Sequence, residues 1–192
     1  MSKMKVIDLH KKDKKLIETC IQNNRKAQFQ LYKQFSAEML SVCRMYTKDL
    51  HYAEDVMSRG FLKVFSQLQH FKFQGSFEGW MRKIMIRESI DFLRSQKKVE
   101  FPIDDFRIHE QPEIVEAIDN LERLEEAQNL IDQLPAGYKL VFVMYEIEGY
   151  RHKEIADLLS IAESTSKSQL FKARKCIADA INSKKKAHEK SK

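Results

Sequence analysis

Between Gly149 and Lys175 the chain reads GYRHKEIADLLSIAESTSKSQLFKARK, and these residue types suit the recognition of a nucleic acid rather than bond-making. Glu154, Ile155 and Ala156 open a short amphipathic helix that runs through Leu159, and Ser160–Glu163 makes a turn. Ser164 is the expected N-cap of a second helix, because its hydroxyl can accept from a free backbone N–H. In that helix Leu170, Ile177 and Ile181 share one face. Thr165, Ser168, Lys172 and Lys175 fall on the opposite one at helical spacing. Short hydroxyls near base edges and long cations near phosphates are what a helix needs to enter a major groove. The plainer reading is a tight helical hairpin used for protein contacts.

A second constellation precedes it by some sixty residues. In a helix expected over Glu78–Lys97, the cations Lys83, Arg87, Arg94, Lys97 and Lys98 fall within an arc of about 100°, at about 100° per residue. Trp80 lies near one edge of that arc, and Phe71, Phe73 and Phe77 surround the loop FKFQGSF that comes before it. Cations beside flat aromatic faces suit single-stranded nucleic acid, the charges following phosphates while unstacked bases settle on rings. Against this stands the reading in which Trp80 and the three Phe are core and the cations are ordinary surface; Trp80 can also do both. A third surface is the outer face of a helix expected over Tyr52–His70. There Glu54, Asp55, Arg59 and Lys63 point outward, either to dock a partner helix or simply to be solvated with i,i+4 pairs.

No pattern suggests catalysis. The chain has no phosphate-cradling glycine loop, no nucleophile motif and no carboxylate pair in an apolar setting. The six His make no metal-ligand spacing, so neither a metal nor a cofactor is expected. Cys20, Cys43 and Cys176 are far apart with no CxxC pairing, as in a reduced, cytoplasmic protein. The first fifteen residues carry charge but no apolar h-region, and no run approaches a membrane span.

The elements that must position these residues are helices. Only 5 Gly and 3 Pro occur in 192 residues, and the long periodic segments argue for an all-α chain. Residues 1–15 read as a loose basic arm, followed by a short helix over Leu16–Asn23. A longer helix over Ala27–Thr47 has Phe29, Tyr32, Phe35, Met39, Val42, Cys43 and Tyr46 on one face. In the Tyr52–His70 helix the apolar face includes Val56, Met57 and Gly60, and the glycine suggests a close helix–helix approach. These helices form an N-terminal bundle over 16–98. Residues 127–182 form a C-terminal unit in which the apolar helix Tyr138–Glu148 packs behind the helix-turn-helix, and Ser183–Lys192 reads as a loose basic tail.

Charge follows the same division. Residues 1–98 hold 20 Lys/Arg against 10 Asp/Glu, residues 99–126 hold 2 against 10, and residues 127–192 hold 12 against 8. Two basic modules joined by a connector of net charge −8 suggest two nucleic-acid-facing units.

Three stretches carry a resemblance to a known family. AEDVMSRGFLKVF (Ala53–Phe65), FQGSFEGWMRKIMIRESIDFLRSQKK (Phe73–Lys98) and the segment Leu134–Lys175 resemble the second and fourth conserved regions of the extracytoplasmic-function sigma factors of bacterial RNA polymerase, in the same order and spacing. The resemblance implies a sigma factor that binds core RNA polymerase and directs recognition and opening of promoter DNA. It implies core-polymerase contacts at Asp55, Val56, Arg59, Phe61 and Lys63. The −10 element would fall to Phe73, Gln74, Gly75, Ser76, Trp80, Lys83, Arg87, Arg94 and Lys98. The −35 element would fall to Arg151, Ser164, Thr165, Lys167, Ser168, Phe171, Lys172 and Lys175. The acidic connector would thread toward the RNA exit path. An anti-sigma factor is a further partner open to the chain, because many family members have one. Ser58-Arg59 stands where the family usually has Gln-Glu, Arg87 where an Asn is common, Ser160 where the turn usually has Gly, and Gln169 where an Arg is common; promoter preference hangs on Arg87 and Gln169. Two other readings compete: a regulator that uses only its helix-turn-helix, and a scaffold that acts through protein contacts alone.

Overall fold

A computed structural model describes residues 14–96, 101 and 121–190, and all regular structure among them is helical, as the scarcity of turn formers predicts. The chain divides into two compact units, Met1–Phe92 and Leu93–Lys192, each described here by itself.

The first unit opens with α1 over 14–21. Asn23, in the left-handed region at φ 60°, ends it, and its N–H donates to the Cys20 carbonyl at 2.9 Å. Asn tolerates this conformation better than most residues. The next residue, Asn24, starts α2 (Arg25–Tyr46), its side chain accepting from the Ala27 N–H at 3.1 Å. Asp49 begins α3 (Leu50–Gln67) in the same way, accepting from the His51 N–H at 2.7 Å. A 3-10 turn, Leu68–His70, and a short loop lead to α4 (Phe77–Ser95).

The buried stripe of α2 is Ala27, Leu31, Phe35, Met39, Val42, Cys43 and Tyr46, and it packs along α3. Phe29, expected on this face, is 68% exposed. It lies two residues, about 200°, from Ala27 and so on the far side of the helix. Gly60 serves the close approach that its place on an apolar face suggests. A Cβ there would sit 2.2 Å from the Sδ of Met85 on α4. Burying side chains such as Leu31 and Met39, each fully enclosed, contributes about 1.5–3 kcal/mol apiece.

The second unit contains α5 (Leu121–Gln133), α6 (Ala136–Phe142), a π-helical turn (Val143–Ile147), α7 (His152–Leu159) and α8 (Glu163–Lys190). Helix α5 begins inside the segment read as an acidic connector; of residues 97–120 only Phe101 belongs to the described set. Pro135 sets the entry to α6 at φ −52°, two residues ahead of the expected start. Helices α6 and α7 both pack on α8, enclosing Leu140, Val141, Met144, Ile155, Leu170 and Ala173. One charged side chain joins this core: Lys139, 3% exposed, with its ammonium 2.7 Å from Asp132 Oδ1. The expected loose tail from Ser183 is instead helical through Lys190. The run INSKKKAHEK holds no Gly or Pro and is rich in Lys and Ala, which favour helix. Among the described residues no helix is long and apolar enough to cross a membrane.

Candidate nucleic-acid interface

In the first unit, the loop between α3 and α4 is shaped by two left-handed positions, Phe73 at φ 55° and Gly75 at φ 91°. Glycine takes the second without strain, whereas for Phe73 it is an uncommon conformation. Ser76 then caps α4, its hydroxyl accepting from the Gly79 N–H at 3.2 Å. The aromatic side chains part company here. Phe71 and Phe77 are buried, their rings 5.1 Å apart. Trp80 is half-buried and stacked on Phe77 at 5.6 Å and 24°. Phe73 stays 40% exposed at the rim, its centroid 5.1 Å from Phe71, with the Lys14 ammonium 5.5 Å from its ring. Packing therefore accounts for Phe71 and Phe77, while Phe73 and one side of Trp80 remain reachable. Gln74, Gly75 and Ser76 are exposed beside them.

On α4 the side chains of Lys83, Arg87 and Arg94 are exposed on the arc expected for them. Lys97 and Lys98 lie outside the described residues. Asp91, also exposed, stands just beyond the edge of this arc and tempers it. Away from the arc, Glu78 at the start of α4 meets Glu38 of α2. Burial and a hydrogen bond from Glu78 hold the Glu38 carboxyl above its usual range, the charge of Arg82 opposing this.

Helix α3 presents Glu54, Asp55, Arg59 and Lys63 outward, as expected. Lys63 pairs with Glu88, and the Arg59 guanidinium lies 5.9 Å from the Phe92 ring centroid. Two residues assigned to polymerase contact need correction. Val56 and Phe61 are buried at 0% and 3% exposure, because α2 covers that side of α3 and sets Tyr32 4.8 Å from the Phe61 ring. The residue missed is Leu62. It is 71% exposed and sits between Glu54 and Asp55 on the outer arc. An apolar side chain in the middle of a charged face was the available signal.

In the second unit, the turn of the helix-turn-helix is made by Ser160 in the left-handed region, φ 56° and ψ 46°, with the Ile161 N–H donating to the Ala156 carbonyl at 3.1 Å. Arg151 precedes α7, and its N–H donates to Glu154 at 2.8 Å. Helix α8 starts at Glu163, so Ser164 stands in its first turn rather than at its N-cap.

The exposed face of α8 is rotated from the expected one. Ser166, Gln169 and Ala173 are fully buried beside Leu170 and Ile177, so the inner arc widens to one side of the aliphatic stripe. This is because α6 and α7 flank α8. Ser168 is 4% exposed, and its hydroxyl donates to the Thr165 carbonyl at 2.9 Å; the expectation that it faces DNA is overturned. Thr165 and Lys172 are half-buried at the edge, the Lys172 ammonium 6.0 Å from the Tyr138 ring. Ser164, Lys167 and Lys175 are exposed and Phe171 is half-exposed, about 80° apart at most on the wheel. Lys167 is paired with Glu163 at 2.7 Å. Gln169 is enclosed with both amide atoms lacking a hydrogen-bond partner, so this departure concerns the core of the unit and not a base-reading surface.

His152, the first residue of α7, ties the motif together and was not singled out by spacing. Its Nδ1 lies 2.9 Å from the Ser166 hydroxyl, and its ring stacks on Tyr145 at 4.5 Å and 23°. Burial first, then the charges of Lys167 and Arg174, hold the imidazole below its usual pKa, with Glu163 opposing. The two units thus carry partly exposed aromatic faces, exposed cations and a helix-turn-helix.

Comparison with known proteins agrees with this division. Residues 31–99 match the family model described as Sigma-70 region 2, and residues 124–177 match Sigma-70, region 4. The chain is 29% identical over 164 residues to the RNA polymerase sigma factor SigV of Bacillus subtilis, covering 85% of this chain and 90% of that one. It is 24% identical over 155 residues to SigM, an ECF RNA polymerase sigma factor of the same organism, covering 80% and 94%. With the ECF RNA polymerase sigma factor SigE of Mycolicibacterium smegmatis it shares 26% over 156 residues, 79% of this chain but only 60% of the longer relative. Among solved structures, the sigma factor RpoE of Bartonella quintana, crystallised with the anti-sigma factor NepR, superposes with a TM-score of 0.52 at 17% identity, covering 80% and 95% of the two chains; this likeness concerns the fold.

Proposed function

Because the chain belongs to the extracytoplasmic-function sigma factors of bacterial RNA polymerase, we propose that its two units divide promoter recognition between an opening strand and a closed duplex. The observation that carries this is the pairing, on one chain, of a rim aromatic beside an exposed cation stripe with a separate helix-turn-helix. The N-terminal module, residues 16–98, takes the −10 element. Phe73 and Trp80 offer faces to an unstacked base, Gln74, Gly75 and Ser76 line the loop, and Lys83, Arg87 and Arg94 follow the phosphates. Asp91 limits the stripe's appetite for indiscriminate duplex.

The outer face of α3 docks on core RNA polymerase through Asp55, Arg59 and Lys63 with Leu62 as apolar anchor, while Val56 and Phe61 support it from beneath. The C-terminal module, residues 127–182, takes the −35 element. Ser164, Lys167, Phe171 and Lys175 face the groove, Thr165 and Lys172 stand at its edge, and Arg151 meets a phosphate at the start of α7. The segment 99–126, of net charge −8, runs toward a basic, nucleic-acid-sized channel of the polymerase. An anti-sigma factor, such as the one with which the Bartonella relative was crystallised, would act on this chain by covering these same surfaces.

The test joins a pull-down with core polymerase to run-off transcription from a promoter mapped after overexpression. The expected result is a complex with core and transcripts that start at that promoter. Failure to bind core overturns the reading.

A further inference from the structure

The junction of the helix-turn-helix holds a group that DNA recognition does not require. The π-helical turn at the end of α6 brings Tyr145 against His152, the ring centroids 4.5 Å apart, and His152 Nδ1 reaches the fully buried Ser166 hydroxyl of α8 at 2.9 Å. The imidazole therefore sits where α6, α7 and α8 meet. It joins the element that approaches the DNA backbone to the one that enters the groove.

The charges around it come from all three elements. The π turn supplies Glu146, held by Arg174 of α8 at 2.6 Å, along with the Tyr145 phenol. Helix α7 and its cap supply Arg151, Lys153 and Glu154, whose carboxylate is engaged by the Arg151 N–H. Helix α8 supplies Glu163 and Lys167, paired with each other at 2.7 Å. The ring itself stands at the start of α7, where the helix dipole opposes a positive charge.

We propose that His152 is a proton-binding positioning residue that makes attachment of the helix-turn-helix to duplex DNA proton-linked, with affinity rising as the pH falls. The inference rests on the assignment of α7 and α8 to the −35 element. Phosphates arriving at Arg151, Lys153 and Lys167 offset the positive potential that opposes a proton on the ring. The complex therefore binds that proton more readily than the free protein does. By linkage, proton and DNA then strengthen each other's binding by the same factor. The contact with Ser166 survives either state, because a neutral ring can accept from the hydroxyl and an imidazolium can donate to it. Protonation thus adds charge without releasing α7 from α8.

The test uses the full chain and a short duplex carrying the upstream element alone, with anisotropy read at constant ionic strength between pH 5.8 and 8.0. For a shift of about half to one pKa unit on binding, affinity at pH 6.0 should exceed that at pH 7.5 by roughly two- to fourfold. The substitution His152→Gln should flatten that slope, whatever its affinity at pH 7.5, while contributions from the other histidines persist in both proteins. Equal slopes overturn the proposal. As a check that needs no variant, the His152 ring titration followed by NMR should move to higher pH when the duplex is added. Coincident midpoints overturn it as well. Binding without a pH slope removes this proposal and leaves the −35 assignment standing, whereas no binding at any pH removes both.

Discussion

Replacing Asp132 by Ala should unfold the C-terminal unit far more readily than any surface change, because it strips the carboxylate from a buried ammonium. Lys139 is 3% exposed and its Nζ lies 2.7 Å from Asp132 Oδ1, an oxygen that also accepts from Gln128 Nε2 at 3.1 Å. Breaking one side of such a pair costs about 3–5 kcal/mol. The alternative of shedding the proton leads to a similar figure. For an ammonium of ordinary pKa near 10.4, neutrality at pH 7 costs roughly 4–5 kcal/mol. Against a typical total of about 5–15 kcal/mol, that loss leaves little stability. The reverse change, Lys139→Met, should cost less, because Asp132 keeps 16% exposure and its bond from Gln128. The double substitution Asp132→Ala with Lys139→Met should recover most of the loss. Urea unfolding followed by far-UV circular dichroism, with hydrogen exchange at the α6 amides, measures each step. A loss below about 1 kcal/mol for Asp132→Ala, or a double variant no better than that single one, would refute the reasoning.

Four further outcomes are expected. Ser160→Gly should raise stability by about 1 kcal/mol, since a left-handed L-residue gives up roughly that much; a lower melting temperature would count against it. Gln169→Met should add about 1–3 kcal/mol by removing a buried amide that has no partner, checked by the same unfolding curves. At pH 8 a thiol reagent should label exposed Cys176 promptly and spare Cys20 and Cys43, whose thiols burial pushes up to about 11 and about 12; three equivalents consumed at one rate by the folded protein would contradict this. Lys83→Ala should lower promoter opening and reduce the salt slope of DNA binding by about one, and an unchanged slope would remove its phosphate role.

Much of this molecule was legible in the order of its residues, for identifiable reasons. Low Gly and Pro content with long apolar periodicities implies helices, whereas the caps Asn24 and Asp49, which start α2 and α3 two residues ahead of the expected positions, were not read from the sequence. The glycine on the inner face of α3 pointed to close helix packing because little else puts a glycine there. What sequence could not resolve was rotation about a helix axis where the buried arc is not purely aliphatic. Leu170, Ile177 and Ile181 place the inner face of α8 correctly to one side. The small or polar Ser166, Gln169 and Ala173 extend it to the other, and the burial of Ser168 next to exposed Lys175 carries no signal in the spacing. The same limit hid the burial of Lys139, since a charge on an apolar helix reads as its outer side until a partner seven residues earlier is seen to reach it. Phe29 failed for a simpler reason: size suggested burial while its position was about 200° from the true stripe. His152 was passed over because a lone histidine carries no spacing signal.

The aromatic step at the start of α4 also equips the protein with an optical probe of its own activity. Trp80 is the single tryptophan of the chain, half-buried against Phe77 and a short distance along the helix from the exposed rim ring of Phe73. Its emission therefore arises from one known place, beside the surface assigned to the departing strand. A nucleobase stacking there would quench the indole, and binding elsewhere would leave it bright. Stopped-flow emission from the unlabelled protein could then time the melting of DNA separately from its capture.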